Sequence, residues 1–390
     1  MKVSDIPGEL EKIRQADRFR QVQDLRMVTA ARGVRRDGKG YIVFSSNDYL
    51  GMTHEKEVQE AAAQAVSYGT GSGGARLTSG AVFEASDLER ELAAFKHTAE
   101  AVVFNTGYMA NLGILYALAG PGDVIFSDEL NHASIVDGCR ISRAKVIVYP
   151  HSDMKRLQEL LETCDVSGQR FIVSDGVFSM DGDIADLPCL LALKKKYDAC
   201  LIIDDAHATG VIGKTGRGTA EYYGASGADI TVGTLSKALG SQGGYAAADE
   251  AVAAYIRNRS RPFIFSTAMP AMSSAAALAA LRLLEQFPER YVGRLKENTD
   301  YMRALLRAFH IPLNDGRTPI LPIILGDERK TLYFERICRE KGIIVSAIRP
   351  PTVAQGTCRI RLSITAAHAK EDLETAAAVI QEAWKAVAER

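Results

Sequence analysis

From about residue 41 onwards, short unbroken apolar runs alternate with longer stretches whose apolar residues recur every three or four positions. The short runs are Ala101–Phe104, Asp123–Asp128, Lys145–Pro150, Arg170–Asp175, Cys200–Asp205, Ile230–Thr234 and Gly243–Ala248. They are rich in β-branched residues and lack polar alternation, which predicts strands buried on both faces of a parallel sheet. Stretches between them, such as "LERELAAFKH" and "LPCLLALKKKYD", carry the helical period and supply crossover connections. The pattern is that of a doubly wound α/β layer structure.

The flanks read differently. The N-terminal forty residues predict an amphipathic helix with apolar Ile6, Leu10 and Ile13, followed by a basic, arginine-rich connection. After Ser274 an Ala- and Leu-rich helix leads into a long charged helix from Glu289 to Phe309. Then come "PILPIILG", the helix "TLYFERICREKG", strands in "IIVSAI" and "CRIRLSIT", and a last helix from Lys370. The expected organisation is an N-terminal helical segment (1–44), a large α/β domain with a mostly parallel sheet (45–280) and a smaller C-terminal α/β domain (281–390).

Composition narrows the function classes. Among 390 residues, 47% are hydrophobic and 24% charged, and the formal net charge is −1, so no electrostatic attraction to nucleic acid or an anionic membrane is expected. No apolar run reaches signal-peptide or membrane-spanning length, which makes a cytoplasmic protein the expectation. The six cysteines form no CxxC pair and the seven histidines no HExxH, so neither a disulfide scaffold nor a metal site is expected.

In an open parallel sheet, ligands bind beyond the carboxyl ends of the strands. Five successive strand ends here carry polar, glycine-rich or ionisable residues: "NTGYMAN", "ELNHASI", "GVFSMDGD", "AHATG" and "LSKALGSQGG". "NTGYMAN" offers backbone N–H groups at a helix start, a site for phosphate. Lys237 sits among Thr234, Ser236 and small residues, where its amine can be approached for imine formation. Asp204 ends a buried strand. A lysine, a carboxylate and an anion cradle in this order match what pyridoxal 5′-phosphate requires. Taken singly, Asp204 reads as a loop or capping aspartate, Lys237 as a surface lysine, and His132 as a cap. "GTGSGGARLTSG" by itself is a flexible loop that no suitable strand precedes.

Taken together, "NDYLG", "GSGGARLTSG", "NTGYMAN", "NHASIVDGCR", "DGVFSMDGD", "DDAHATGVIG", "TLSKALGSQGG", "FIFSTAMP" and "IRPPTV…CRIRLSITAAH" resemble the α-oxoamine synthases, fold-type I pyridoxal-phosphate transferases, over nearly the whole chain. The resemblance implies that Lys237 joins the cofactor, Asp204 pairs with its ring nitrogen and His207 bonds its phenolic oxygen. His132 would stack on the ring, and Ser179 would lie on the phenolic-oxygen side. Gly107, Tyr108 and Thr234 would hold the phosphate, with Ser266 and Thr267 reaching the phosphate in the partner subunit of a homodimer. Asn47, Thr352, Arg361 and Arg20 would meet the substrates, Arg361 through the amino-acid carboxylate. Two positions depart from the family's usual prolines, Ala271 and Ala354.

The branch most resembled joins L-alanine to a pimeloyl thioester, carried on coenzyme A or acyl carrier protein, in biotin synthesis. The implied chemistry is α-proton removal by Lys237, attack on the thioester, release of the thiol and loss of carbon dioxide. Alternatives are a glycine-using branch making 2-amino-3-oxobutyrate, another α-oxoamine synthase, or an aminotransferase. Since successive strand residues face opposite ways, Asp204 and Asp205 cannot serve one ligand together. Asp205 is therefore expected to be a structural partner on the far side.

Overall fold

The computed structural model describes residues 2–389. Its backbone divides into two compact units. One runs from Asn47 to Ser179 and from Asp183 to Arg294; the other holds the segment up to Ser46, Met180–Gly182, and the segment from Leu295. The N-terminal residues therefore join the C-terminal ones in a single unit instead of standing apart as 1–44, and the later boundary falls at Arg294 instead of residue 280.

The first unit is built on β1 (Glu100–Phe104), β2 (Val124–Asp128), β3 (Lys145–Tyr149), β4 (Arg170–Asp175), β5 (Ala199–Asp204), β6 (Ile230–Thr234) and β7 (Gly244–Ala248). These form one sheet in the order β1-β7-β6-β5-β4-β2-β3. All seven coincide with the apolar runs of the sequence to within a residue or two. Only β7 is reversed, pairing antiparallel with both β1 and β6. The other six run one way, so their carboxyl ends share one edge.

Alternating residues of these strands feed two cores. Phe104, Ile125, Val173, Ile202 and Val232 pack on one face with Ile114, Ile135 and Phe263. Phe126, Ile172, Leu201 and Ile203 pack on the other with Leu157, Leu161, Leu187 and Leu190. The exception is the edge strand β3, where Val146 and Val148 are 38% and 60% exposed despite the same β-branched composition. The other edge strand, β1, stays buried from Ala101 to Phe104, so the exposure belongs to β3 and not to edge position as such.

In the second unit, Arg26–Thr29, Arg32–Val34 and Gly40–Val43 make an antiparallel ladder, extended in parallel by Ile343–Ile344. This ladder occupies the segment read from sequence as a basic, arginine-rich connection. Its turn is set by Asp37–Gly38, where Gly38 has φ +84° and donates its N–H to the Arg35 carbonyl. The preceding helix Ile6–Gln15 forms as expected, yet buries none of its residues. A second sheet places Cys358–Ser363 between Ile320–Gly326 and Ser346–Ile348, antiparallel to both. Ile360, Leu362, Phe334, Leu373 and Ile380 share one core with Phe44. His368 stacks on Phe44 with ring centroids 4.1 Å apart, and its Nε2 meets the Val43 carbonyl at 3.1 Å.

The charged helix expected from Glu289 to Phe309 forms, opening on a wide helical turn and separated from the helix before it by Pro288. Ala271–Gln286 ends before Pro288, a single wide turn covers Glu289–Gly293, and Arg294–Ala308 continues. Proline disfavours helical geometry in the residue before it, which explains the break. No helix among the described residues is long and apolar enough to cross a membrane, and none of their His, Cys, Asp and Glu clusters could hold a metal ion.

Candidate active site

The carboxyl ends of the parallel strands meet in a cavity of about 190 Å³ within the first unit. Asp204, the last residue of β5, is 5% exposed. Its Oδ1 accepts from the Ala206 N–H (2.8 Å) and its Oδ2 from Asn111 Nδ2 (2.6 Å). A carboxylate has about four acceptor positions, so capacity for a cavity ligand remains. Asp205 faces away from the cavity. It accepts from Lys96 Nζ (3.1 Å), Thr219 Oγ1 (2.5 Å) and Thr219 N–H (3.2 Å). Burial acts to discharge Lys96, but Tyr245 and Asp205 outweigh it and raise its pKa. The two neighbouring aspartates thus divide as strand alternation requires.

Helix α1 (Gly107–Leu118) begins at the end of β1, capped by Thr106, whose hydroxyl accepts from the Met109 N–H at 3.1 Å. Gly107 and Tyr108, the first residues of α1, line the cavity together with Thr234 and Ser236. Thr234 Oγ1 lies 2.8 Å from Ser236 Oγ and donates to the Gly243 carbonyl at 2.9 Å. A Cβ on Gly107 would stand 3.2 Å from Thr234 Cβ, so glycine keeps this cradle open. Lys237 lines the same cavity.

Helix α2 (Ala133–Ser142) follows β2, and His132 caps it: its Nδ1 accepts from the Ser134 N–H at 3.2 Å. The His132 N–H donates to Asp175 Oδ2 at 2.8 Å. Asp175 ends β4 directly beside Asp204 in the ladder. Burial, reinforced by the neighbouring Asp204 charge, holds the Asp175 carboxyl well above the usual carboxylate range. Burial depresses the His132 imidazole; Asp204 opposes this and Lys237 adds to it, leaving the ring neutral near pH 7. His207 Nδ1 lies 2.8 Å from the hydroxyl of fully buried Tyr49.

Of the residues expected from sequence, Gly107, Tyr108, His132, Ser179, Asp204, His207, Thr234 and Lys237 all line this cavity. Ser266 and Thr267 do not: Thr267 pairs with Ala75 and takes a 2.8 Å hydrogen bond on its carbonyl from Asn105. That pairing, with Ala268 N–H donating to the Gly74 carbonyl, also anchors the glycine-rich loop expected to be flexible. Asn47 is not among the cavity residues; its Oδ1 accepts from the Tyr49 hydroxyl at 3.4 Å. Arg20, Thr352 and Arg361 belong to the other unit. There Arg20 donates to the carbonyls of Arg349 and Pro350, Thr352 donates its N–H to the Arg349 carbonyl, and Arg361 is 6% exposed on the central strand Cys358–Ser363. Ser236, named from sequence as a neighbour of Lys237, completes the cavity with Thr106, Asn111, Ser134, Asp175 and Ala206, which were not singled out from sequence. Asp175 carried a signal, since it ends a buried strand as Asp204 does.

The cavity suits pyridoxal phosphate on its own chemistry: a lysine amine, a buried acceptor-only carboxylate, and amides and hydroxyls clustered at a helix start. The aminotransferase class I and II family model matches residues 39–380. An 8-amino-7-oxononanoate synthase of Citrifermentans bemidjiense is 46% identical over 382 residues, spanning 97% of each chain. A serine palmitoyltransferase variant from S. paucimobilis, solved with PLP and myriocin bound, superposes with a TM-score of 0.93 at 32% identity over 99% of this chain and 98% of that one. An 8-amino-7-oxononanoate synthase from Francisella tularensis gives a TM-score of 0.75 at 32% identity, over 89% and 98%.

Proposed function

Because the chain belongs to the class I and II aminotransferase family, and within it to the α-oxoamine synthases, we propose that it condenses L-alanine with a pimeloyl thioester. The products are 8-amino-7-oxononanoate, carbon dioxide and the free thiol. The observation that carries this reading is the convergence of Lys237, Asp204 and the α1 N-terminus on one cavity, in a chain that resembles synthases of that product over almost its full length. The family cofactor, pyridoxal phosphate, supplies an aldehyde for an amine and an aromatic ring that stabilises negative charge at the substrate α-carbon.

The protein's residues do the rest. Asp204, oriented by two donors, would pair with the ring nitrogen and so maintain the ring's electron demand. The amides of Gly107 and Tyr108, with the Thr234 and Ser236 hydroxyls, hold the phosphate where the helix N-terminus favours negative charge. His132, its pKa lowered by burial, would meet the ring without adding a competing positive charge. Lys237 Nζ takes the α-proton of alanine and later returns a proton. Positioned proton transfer of this kind contributes about 10²–10⁴-fold. Arg361 is assigned the amino-acid carboxylate. Ser266 and Thr267 are assigned to the site of a second copy in a homodimer, and the cytosol is the proposed location.

The reading is tested by mass spectrometry of the product formed from alanine and pimeloyl thioesters on coenzyme A and on acyl carrier protein, with glycine and serine as competing amino acids. 8-Amino-7-oxononanoate from alanine is expected. A product from glycine and acetyl thioester alone would assign the chain to the 2-amino-3-oxobutyrate branch. Formation of pyridoxamine phosphate from alanine would make it an aminotransferase. Lys237→Ala is expected to abolish condensation and the borohydride-sensitive absorbance of the bound cofactor.

A further inference from the structure

Residues that follow four strand ends are joined by a run of polar contacts, most of them buried. Asn111, on α1, donates through Nδ2 to Asp204 Oδ2 (2.6 Å) and to Ser134 Oγ (2.9 Å). Ser134 Oγ lies 2.7 Å from His132 Nδ1, and the Ser134 N–H points at the same nitrogen from 3.2 Å. The His132 backbone N–H donates to Asp175, the ladder neighbour of Asp204. Asn111 and Ser134 are 2% and 1% exposed, so these groups depend on one another for partners.

The donor and acceptor inventory allows one arrangement. Asp204 Oδ2 accepts from Asn111, so Asn111 presents its amide nitrogen there. That nitrogen's second hydrogen obliges Ser134 Oγ to accept. Ser134 must then send its own hydroxyl hydrogen to His132 Nδ1. A backbone N–H can only donate, so the second contact from Ser134 also requires a bare Nδ1. In a neutral imidazole the proton then sits on Nε2. We propose that Asn111 and Ser134 are positioning residues that fix His132 as its Nε2–H tautomer and couple its ring to the carboxylate of Asp204.

The ring assigned to the cofactor's face is thereby tied to the carboxylate assigned to its nitrogen. Neither Asn111 nor Ser134 takes part in the proton transfers described above. Removing outer hydrogen-bond partners of site histidines costs on the order of 10–100-fold in metal enzymes; about tenfold in kcat is the expectation here, with the KM for alanine little changed.

The test begins on cofactor-free protein carrying ¹⁵N-histidine, with His132→Gln identifying the resonance. The unsubstituted protein is expected to show a protonated Nε2 and a bare Nδ1. Asn111→Ala, which does not touch the ring, is expected to move the Nδ1 resonance when Ser134 is present and to leave it unmoved in a Ser134→Ala background. Ser134→Thr, which keeps the hydroxyl, should restore the signal that Ser134→Ala loses. In the loaded enzyme the double variant should be no slower than the slower single variant. An Nδ1–H tautomer, or equal shifts in both backgrounds, would overturn the proposal. Should Asn111→Ala fail to fold, the tautomer and the Ser134→Thr against Ser134→Ala comparison decide it. The kinetic part rests on the proposed reaction and the tautomer does not. Product formation with the wrong tautomer therefore defeats the relay alone, and the right tautomer without product defeats the reaction alone.

Discussion

Asp204 and Asp205 are covalent neighbours with separate consequences when changed. Asp204→Asn removes a preorganised charge from the cavity and is expected to lower kcat by about 10²–10³-fold, the scale of losing one such electrostatic group. Asp205→Asn acts instead on the buried pair with Lys96, whose side chains are each 3% exposed. Lys96→Met leaves Asp205 buried without its cation, which costs about 3–5 kcal/mol in comparable pairs; denaturant unfolding measures it. Strand alternation made this division legible in the sequence, because two adjacent strand residues cannot face one ligand. Asn111 and Ser134 were not legible. An asparagine in a helix and a serine after its cap are common for local reasons, and only folding brings them onto the same hydrogen bonds.

Among the elements, the reversed strand β7 has the clearest effect on the site. It lies between β1 and β6, and Gly244 at its start packs against the first residue of α1: a Cβ there would stand 2.5 Å from Gly107 Cα and 2.6 Å from Gly107 N. Those are backbone atoms, which cannot move aside as a side-chain tip can. Gly244→Ala is therefore expected to cost roughly 1–3 kcal/mol by overpacking and to weaken retention of pyridoxal phosphate by displacing the phosphate cradle. Equilibrium dialysis of the cofactor, beside a melting curve, separates the two effects. The position of every strand in this sheet could be read from its apolar run, but the direction of β7 could not, since "GGYAAA" is compatible with either. The N-terminal ladder was missed for another reason. "RRDGKG" holds the Asp-Gly turn signal, but its strands are short and basic, and one of their partners, Ile343–Ile344, lies some three hundred residues away.

At the scale of the molecule, no contiguous split of the sequence describes the units. Sequence can place strands, helices and turns, because each is governed by neighbours in the chain. It does not say that Met180–Gly182 belongs with residues beyond Leu295. That depends on contacts such as Thr318 Oγ1 to the Gly182 carbonyl (2.7 Å) and the Arg359–Asp181 ion pair.

His368, stacked on Phe44 in the unit that holds both chain ends, has an opposite number in the other unit. Burial pushes His368 down to about 4. It binds fewer protons folded than unfolded, so its contribution is present above about pH 6.5 and is lost as pH falls through about 4. His151 is gripped by Asp128 at 3.0 Å and Asp183 at 2.8 Å. Burial opposes its charge, but these two carboxylates prevail and raise it to about 10. Its contribution is complete below about pH 6.5 and is lost as pH rises through about 10. Acid should therefore loosen one unit first and alkali the other. Hydrogen exchange is expected to report early opening around Cys358–Ser363 on acidification and around residues 128–131 and 151–153 on alkalinisation. His151→Gln should flatten the alkaline limb without altering the acid one. Each unit thus carries its own titratable latch, one weakened by acid and the other by alkali.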